Sequence, residues 1–343
     1  MENRVVFYLP NDALFEATAY YCNLIKQAVE EIVAAGEVLY VSSIDEICKE
    51  DIVITIRIDD PFLLFNKCKK IIHWFQGIAP EERVMIGNGS LYSRLAALKY
   101  SIMEFILLRK SYFFFFVSEA MKEHYERKYG IDLNGRHVIM PCYNIALDKR
   151  SFDHENKYDK PTFVYAGGIL NWQCVQESLM IYKAFKEIHS TATFTILTKD
   201  SDKAMTLIQK VGAKDVYVKF VPLQSLQEEL GKYKYGFLLR KQHVVNRVAT
   251  PTKMNSYLAA GVIPIYTSVV QDFDRNINLG AFEIKCDTVD IGLLTTKLLK
   301  FENKVVDVNY VFSTFQKIFQ EYYNDLKYKE KIREQLIHYL IEQ

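Results

Sequence analysis

The sequence predicts an α/β protein made of two doubly wound parallel-sheet domains in tandem, facing a cleft and followed by a helical tail. Three observations predict it. Short apolar, β-branched or aromatic runs alternate with longer stretches of helical period; the alternation fails once near the middle of the chain; and beyond that break it restarts. At 343 residues, half of them apolar, the chain can build two cores of ordinary size.

In the first half the strand runs are RVVFYLP, VLYVSS, DIVITIR, KIIHWFQ, YFFFFVS and HVIMP, with helices expected over 13–35, 61–69, 88–109 and 118–128. Runs such as FFFFV are apolar on both faces, as a central strand covered by helices on each side must be. Around 142–160 the stretch CYNIALDKRSFDHENKYDKP is polar, charged and aperiodic, and reads as an interdomain linker. The second series is TFVYAGG, ATFTILT, VYVKFVP, YGFLLR, GVIPIYT and AFEIKC, and from about 289 onward the chain is mainly helical. The expected division is a Rossmann-like domain over 1–150, a second over 151–305, and helices over 306–343 that pack back toward the first.

Composition narrows the function. Lys+Arg (43) nearly balance Asp+Glu (42), which excludes a strongly basic nucleic-acid binder, and the apolar content excludes disorder. The cysteines at 22, 48, 68, 142, 174 and 286 show no C-x-x-C or Cys/His metal spacing, as expected of reduced, mostly buried thiols in a cytoplasmic protein without structural zinc. MENRVVFYLPND lacks the basic segment and apolar core of a secretory signal. The longest apolar stretch, FILLRKSYFFFFV, is broken by Arg109-Lys110 and falls short of the roughly 20 residues that span a bilayer.

Open parallel sheets bind ligands beyond the carboxyl ends of their strands, so the loops there carry the candidates. In VVNRVATPTKMNSYLAAGVIPIYT, Val244 to Thr267, Thr250 is expected as an N-cap, Pro251 as the first helical residue, and Thr252 and Lys253 in the first turn. A cation is disfavoured at that end of a helix, whereas an anion is favoured. Lys253 therefore points to an anion, with Arg240 at the end of YGFLLR reaching the same space and phosphate the expected ligand; a plain capped helix with two solvated cations is the alternative. Gly167-Gly168 in VYAGGILNW follows the first strand of the second domain and precedes a helix near Trp172. The pair lets backbone approach a ligand or simply makes a tight turn; the third glycine of a dinucleotide fingerprint and the Lys-Ser/Thr of a P-loop are missing.

In the first domain, IIHWFQGIAPEE places His73, Trp74 and Gln76 at the end of a strand, where they either meet a polyhydroxylated ligand or fill the core. Asn11 and Asp12 in FYLPND are cleft candidates or turn residues. Asp59-Asp60 before Pro61 reads as helix capping in preference to a metal pair. No Ser/His/Asp order, H-E-x-x-H or kinase signature is present.

The tandem sheets, YAGGILNW opening the second of them, and NRVATPTKMNSYLAAGVIPIYTS after its fourth strand together resemble a bacterial GT-B glycosyltransferase. The likeness is to the retaining, nucleotide-sugar-dependent group that builds capsule, lipopolysaccharide and exopolysaccharide; HWFQGIAPEE and FVSEAMKEHY in the first domain resemble that group's segments too. The resemblance implies a sugar transferred from a UDP- or GDP-linked donor to a saccharide or lipid-linked acceptor without a metal or other cofactor, in the cytoplasm and with peripheral membrane contact. It assigns Gly167 and Gly168 to the turn beside the donor diphosphate, Arg240 and Lys253 to charge neutralisation, and the Thr250–Lys253 backbone, Thr252 included, to the distal phosphate. Phe220, Val221 and Leu223 in KFVPLQSLQEEL would frame the nucleobase, and Asn171, Asn246 and Ser256 complete the donor side. His73 would position a hydroxyl of donor or acceptor, with Asn11, Trp74 and Gln76 on the acceptor side. One departure stands out: the family commonly carries two glutamates eight positions apart, and counting back from Gly261 those positions hold Ser256 and Val248. A catalytically silent nucleotide-sugar binder and a nucleotide-sugar epimerase therefore remain open.

Overall fold

The computed structural model describes residues 4–10, 13–14, 16–33 and 38–340. The expected Asn11 and Asp12 lie outside the described residues. The chain divides into two compact units: residues 1–142, 248–250 and 324–343 form the first, and 143–247 with 251–323 the second.

The first unit holds one six-stranded sheet of β1 (Val5–Tyr8), β2 (Val38–Val41), β3 (Ile52–Thr55), β4 (Lys70–Phe75), β5 (Phe113–Phe116) and β6 (His137–Ile139), in the order β2-β1-β3-β4-β5-β6. Every pairing is parallel. The four phenylalanines of β5 are all fully buried, which is why that run is apolar on both faces. The helix expected over 88–109 is Leu91–Lys110, and a further helix that the sequence reading did not expect, Ala79–Ile86, precedes it. Pro80 sits in the first turn of the former, where its missing N–H costs nothing. Asn88 and Gly89, both at positive φ, separate the two. The expected helix over 61–69 is the short Asp60–Leu64, and neither aspartate caps it as anticipated: Asp59 makes no side-chain cap bond, and Asp60 is buried.

The second unit holds β7 (Thr162–Ala166), β8 (Thr193–Leu197), β9 (Val216–Lys219), β10 (Tyr235–Leu238), β11 (Ile263–Thr267) and β12 (Ile284–Cys286), in the order β12-β11-β10-β7-β8-β9. All are parallel. Relabelled from its own first strand this is the 3-2-1-4-5-6 order of a dinucleotide-binding fold, whose direction of winding reverses between β7 and β10. The stretch read as a linker begins at the boundary between the units, Cys142 and Tyr143, and from there is anchored within the second unit. Phe152 is buried, the Lys157 ammonium donates to the carbonyls of Ser151 and Ala260, and the Tyr158 hydroxyl donates to the Gly261 carbonyl at 2.7 Å. Burial pushes the Lys157 amine down to about 7, because no carboxylate accompanies it.

Candidate functional site

The carboxyl ends of β7 and β10, at the reversal point of the second sheet, carry Gly167-Gly168 and Arg240. Tyr165, near the end of β7, is buried, and its hydroxyl donates to the Gly168 carbonyl at 2.6 Å and to Gln173. The ring thus lies beneath the glycine turn. Gly167 adopts φ 135°, a conformation that side chains rarely take, and a Cβ built on it would stand 3.2 Å from Lys253 Nζ. The absent side chain is what lets the ammonium sit there. Lys253 Nζ rests 3.8 Å from the centroid of the Tyr165 ring, a cation–π contact.

Arg240 follows β10 and is only 7% exposed. Thr267, at the end of β11, pins its backbone: Arg240 N–H donates to Thr267 Oγ1 at 3.0 Å, and that hydroxyl donates back to the Arg240 carbonyl at 3.1 Å. Burial lowers the pKa of Arg240; that of Lys253 is pushed well below its ordinary value by burial first and by the charge of Arg240 second. Among the described residues no carboxylate is ion-paired with either cation. Two partly or fully buried like charges side by side without a counter-ion are unfavourable unless an anion completes the site.

The helix holding Lys253 runs Lys253–Ala259, so Thr252 and not Thr250 occupies the cap, and it makes no side-chain cap bond. The Thr250 hydroxyl is used within the first unit, where it accepts from Cys142 N–H at 3.0 Å. The Ser256 hydroxyl donates to the Thr252 carbonyl at 3.2 Å inside its own helix, and Val248 is buried. Asn246 is buried, and its amide donates to the Lys241 carbonyl at 2.9 Å, shaping the loop after β10. Asn171 is exposed in a single 3-10 turn, Asn171–Gln173. After β9, Phe220 is 54% exposed with the Lys199 ammonium 5.2 Å from its ring, Leu223 is exposed and Val221 half-buried. Tyr165, Tyr257 and Thr267 were not singled out from sequence. Only Tyr165 had a signal, as the aromatic two residues before the glycine pair.

In the first unit, His73 and Gln76 line a cavity of about 130 Å³ together with Trp74, Gly77 and Glu82. His73 is 1% exposed, and its Nδ1 lies 2.8 Å from Thr55 Oγ1. Burial pushes it down to about 3, so the ring is neutral at pH 7 and suited to hydrogen bonding, not to charge. Of the two readings of Trp74, ligand contact or core filling, its burial fits the second: it packs against Tyr21, ring centroids 5.1 Å apart. Gln76 is exposed. No cluster of three or more His, Cys, Asp or Glu side chains able to hold a metal occurs among the described residues.

No family profile and no curated protein sequence matches the chain. Solved structures do. S. aureus TarM, crystallised with UDP and α-GlcNAc-glycerol, aligns with TM-score 0.62 at 11% identity over 84% of this chain and 55% of its own, so the chain spans about half the length of that protein. The α,α-trehalose 6-phosphate synthase of Burkholderia multivorans aligns with TM-score 0.64 at 8% identity over 98% of both chains. WaaG, a glycosyltransferase involved in lipopolysaccharide biosynthesis, aligns with TM-score 0.60 at 12% identity over 99% of this chain and 100% of its own. Likeness at this identity is likeness of fold, and the fold of this chain is that of the GT-B glycosyltransferases.

Proposed function

We propose that the protein is a glycosyltransferase that binds a nucleotide sugar, UDP- or GDP-linked, in its second unit and passes the sugar to a saccharide or lipid-linked acceptor. The observation that carries this reading is the pairing of Arg240 and Lys253, without a carboxylate partner, beside Gly167 at the winding reversal of the sheet. Departure of a nucleoside diphosphate puts negative charge on its phosphates while positive charge grows on the sugar. Fixed cations in a poorly solvated site stabilise that charge as it develops, with no reorganisation at the moment of reaction. The presence of UDP in the TarM structure supports a diphosphate as the anion. In this reading the Phe220 ring, which is exposed, stacks on the base, and His73, which is neutral, orients a hydroxyl. Metal-independent transfer with retention of the anomeric configuration belongs to the same reading.

A second reading, a nucleotide-sugar binder that does not transfer, draws on Ser256 and Val248: one hydroxyl is used inside its helix and the other position is buried and apolar, so neither supplies a carboxylate. Calorimetry with UDP-, GDP- and ADP-sugars, followed by assay of released nucleoside diphosphate with a panel of saccharide acceptors, separates the readings. One sugar nucleotide is expected to bind, and Lys253→Ala or Arg240→Ala to weaken it about 10- to 100-fold, the loss of one charge-assisted contact. Released diphosphate and a product of retained anomeric configuration identify the transferase; binding without release identifies the silent binder. If no sugar nucleotide binds and Lys253→Ala changes nothing, the donor-site assignment fails.

A further inference from the structure

Beside the glycine turn of the second unit stands a carboxylate, that of Asp200. This residue follows β8 and is the N-cap of the helix Ser201–Val211, yet its side chain makes no cap bond there. An aspartate at an N-cap ordinarily takes the N–H of the second or third helical residue. Here the carboxylate is turned the other way: Oδ2 accepts from Ile169 N–H at 3.2 Å, and a Cβ built on Gly168 would lie 3.7 Å from the same oxygen. The Asp200 N–H donates to Thr198 Oγ1 at 3.0 Å, which fixes the loop, and the Lys203 ammonium donates to Oδ1 at 3.3 Å. The Ile169 N–H first and Lys203 second hold the carboxyl below its ordinary value, so it is charged at neutral pH.

The order of the strands says which part of a nucleotide would meet it. β7, β8 and β9 are neighbours in that order, and Ala166, Leu197 and Lys219 stand in one row across their carboxyl ends. The ladder continues one step further, with Gly167 N–H donating to the Leu197 carbonyl and Thr198 N–H to the Lys219 carbonyl, each at 2.9 Å. Gly167, Thr198 and Phe220 are therefore next in register, and Asp200 comes just beyond them on the middle strand. With the diphosphate at the glycine pair and the base on Phe220, the ribose that joins them crosses the end of β8. Charge points the same way. A phosphate oxygen against Asp200 would be repelled, whereas a ribose is neutral and offers two adjacent hydroxyls that one carboxylate can accept together. The Ile169 N–H, already given to Asp200, is not left over for a phosphate. In dinucleotide-binding folds an acidic side chain takes ribose hydroxyls on the same grounds. Ser256 and Val248 supply no carboxylate for that task.

We infer that Asp200 selects for ribose in the donor site, its carboxylate accepting the two ribose hydroxyls of the nucleotide. The inference rests on the donor-site reading, and its test separates the failure of one from the failure of the other. Calorimetry on the full chain compares UDP and GDP with the dideoxy analogue of each, which lacks both ribose hydroxyls, for the parent and for Asp200→Asn, Asp200→Ala and Lys253→Ala. The parent is expected to bind the ribonucleotide about ten-fold or more tighter than its analogue, the worth of hydrogen bonds to a charged group. Both Asp200 variants should bring the ribonucleotide down toward its analogue and leave the analogue's own affinity unchanged, while Lys253→Ala lowers the two by the same factor. Asp200→Asn keeps an oxygen for the Ile169 N–H, so its thermal unfolding should match that of the parent. Equal binding of ribonucleotide and analogue by the parent would overturn the inference without recourse to any variant, and leave the donor site standing. An equal loss of both ligands in the Asp200 variants would overturn it too, marking a carboxylate that only supports the glycine turn through Ile169. If neither UDP nor GDP binds the parent, the donor-site reading fails and this inference falls with it.

Discussion

Lys253 carries its charge at the amino end of the helix Lys253–Ala259. A lysine in the first turn of a helix is unfavourable on dipole grounds, and the structure adds burial, a neighbouring guanidinium and a tyrosine face in place of a carboxylate. These effects have a titration consequence. In the free protein the Lys253 pKa lies well below its ordinary value, and a bound phosphate would raise it again. Between the lowered and the restored pKa the complex holds more protons than the free protein, so binding takes protons up and affinity falls as pH rises through that window. Titrating the nucleoside diphosphate in two buffers of unlike ionisation enthalpy should show this uptake, with a smaller pH slope for Lys253→Arg, whose guanidinium stays charged. An affinity for the parent that does not change from neutral to alkaline pH would remove Lys253 from the anion site. Ser256 is the reverse case: the sequence raises the missing glutamate there, and the structure shows a hydroxyl already used on Thr252.

At the scale of elements, the site rests on how closely the helix Lys253–Ala259 approaches β10. Gly236 in β10 has no side chain, and a Cβ there would lie 2.7 Å from two carbons of the Tyr257 ring. Tyr257 is fully buried; its hydroxyl donates to the Phe237 carbonyl at 3.1 Å and accepts from Ala166 N–H at 3.2 Å. One ring therefore ties the helix that carries Lys253 to the ends of both strands at the winding reversal. Gly236→Ala should force that ring aside, costing about 1–3 kcal/mol in urea unfolding, as overpacking of a filled core does, and weakening nucleotide binding with it. An unchanged unfolding midpoint would show that the ring yields freely. Among the described residues the strands lie where the apolar runs place them, because most of them are buried and a buried parallel strand leaves an unbroken signal in the chain. The order of those strands was not legible, since pairing between β7 and β10 is non-local and leaves no local pattern. The anchoring of the stretch over 142–160 was hidden for a related reason: its polar composition conceals that Lys157 and Tyr158 find carbonyls about a hundred residues away, at Ala260 and Gly261.

At the scale of the whole molecule, the chain returns to its first unit at the end. The final helix, Asp325–Leu340, packs against Glu16–Glu30 and β6 of that unit and buries Tyr328, Ile332, Leu336 and Leu340. Polar contacts fix its position: the Tyr20 hydroxyl donates to the Asp325 carboxylate at 2.8 Å, and the Tyr339 hydroxyl donates to the Gly135 carbonyl at 2.7 Å. Tyr339 also meets Tyr112 and Phe113 edge-on, with ring centroids 5.0 Å apart in each pair. Stability of the first sheet thus depends on residues more than 300 positions from its first strand. Ile332 and Leu336 are both fully buried, so each substitution to alanine should cost about 2–4 kcal/mol, lost transfer energy plus the cavity left behind. Hydrogen exchange locates that loss: amides of β5 and β6 should exchange faster in Leu336→Ala, while those of β7 and β10 keep their protection, because the latter belong to the other unit and its separate core. Equal acceleration in both sheets would mean that the chain unfolds as one cooperative body, and protection unchanged in β5 and β6 would mean that the final helix contributes nothing to the sheet it covers.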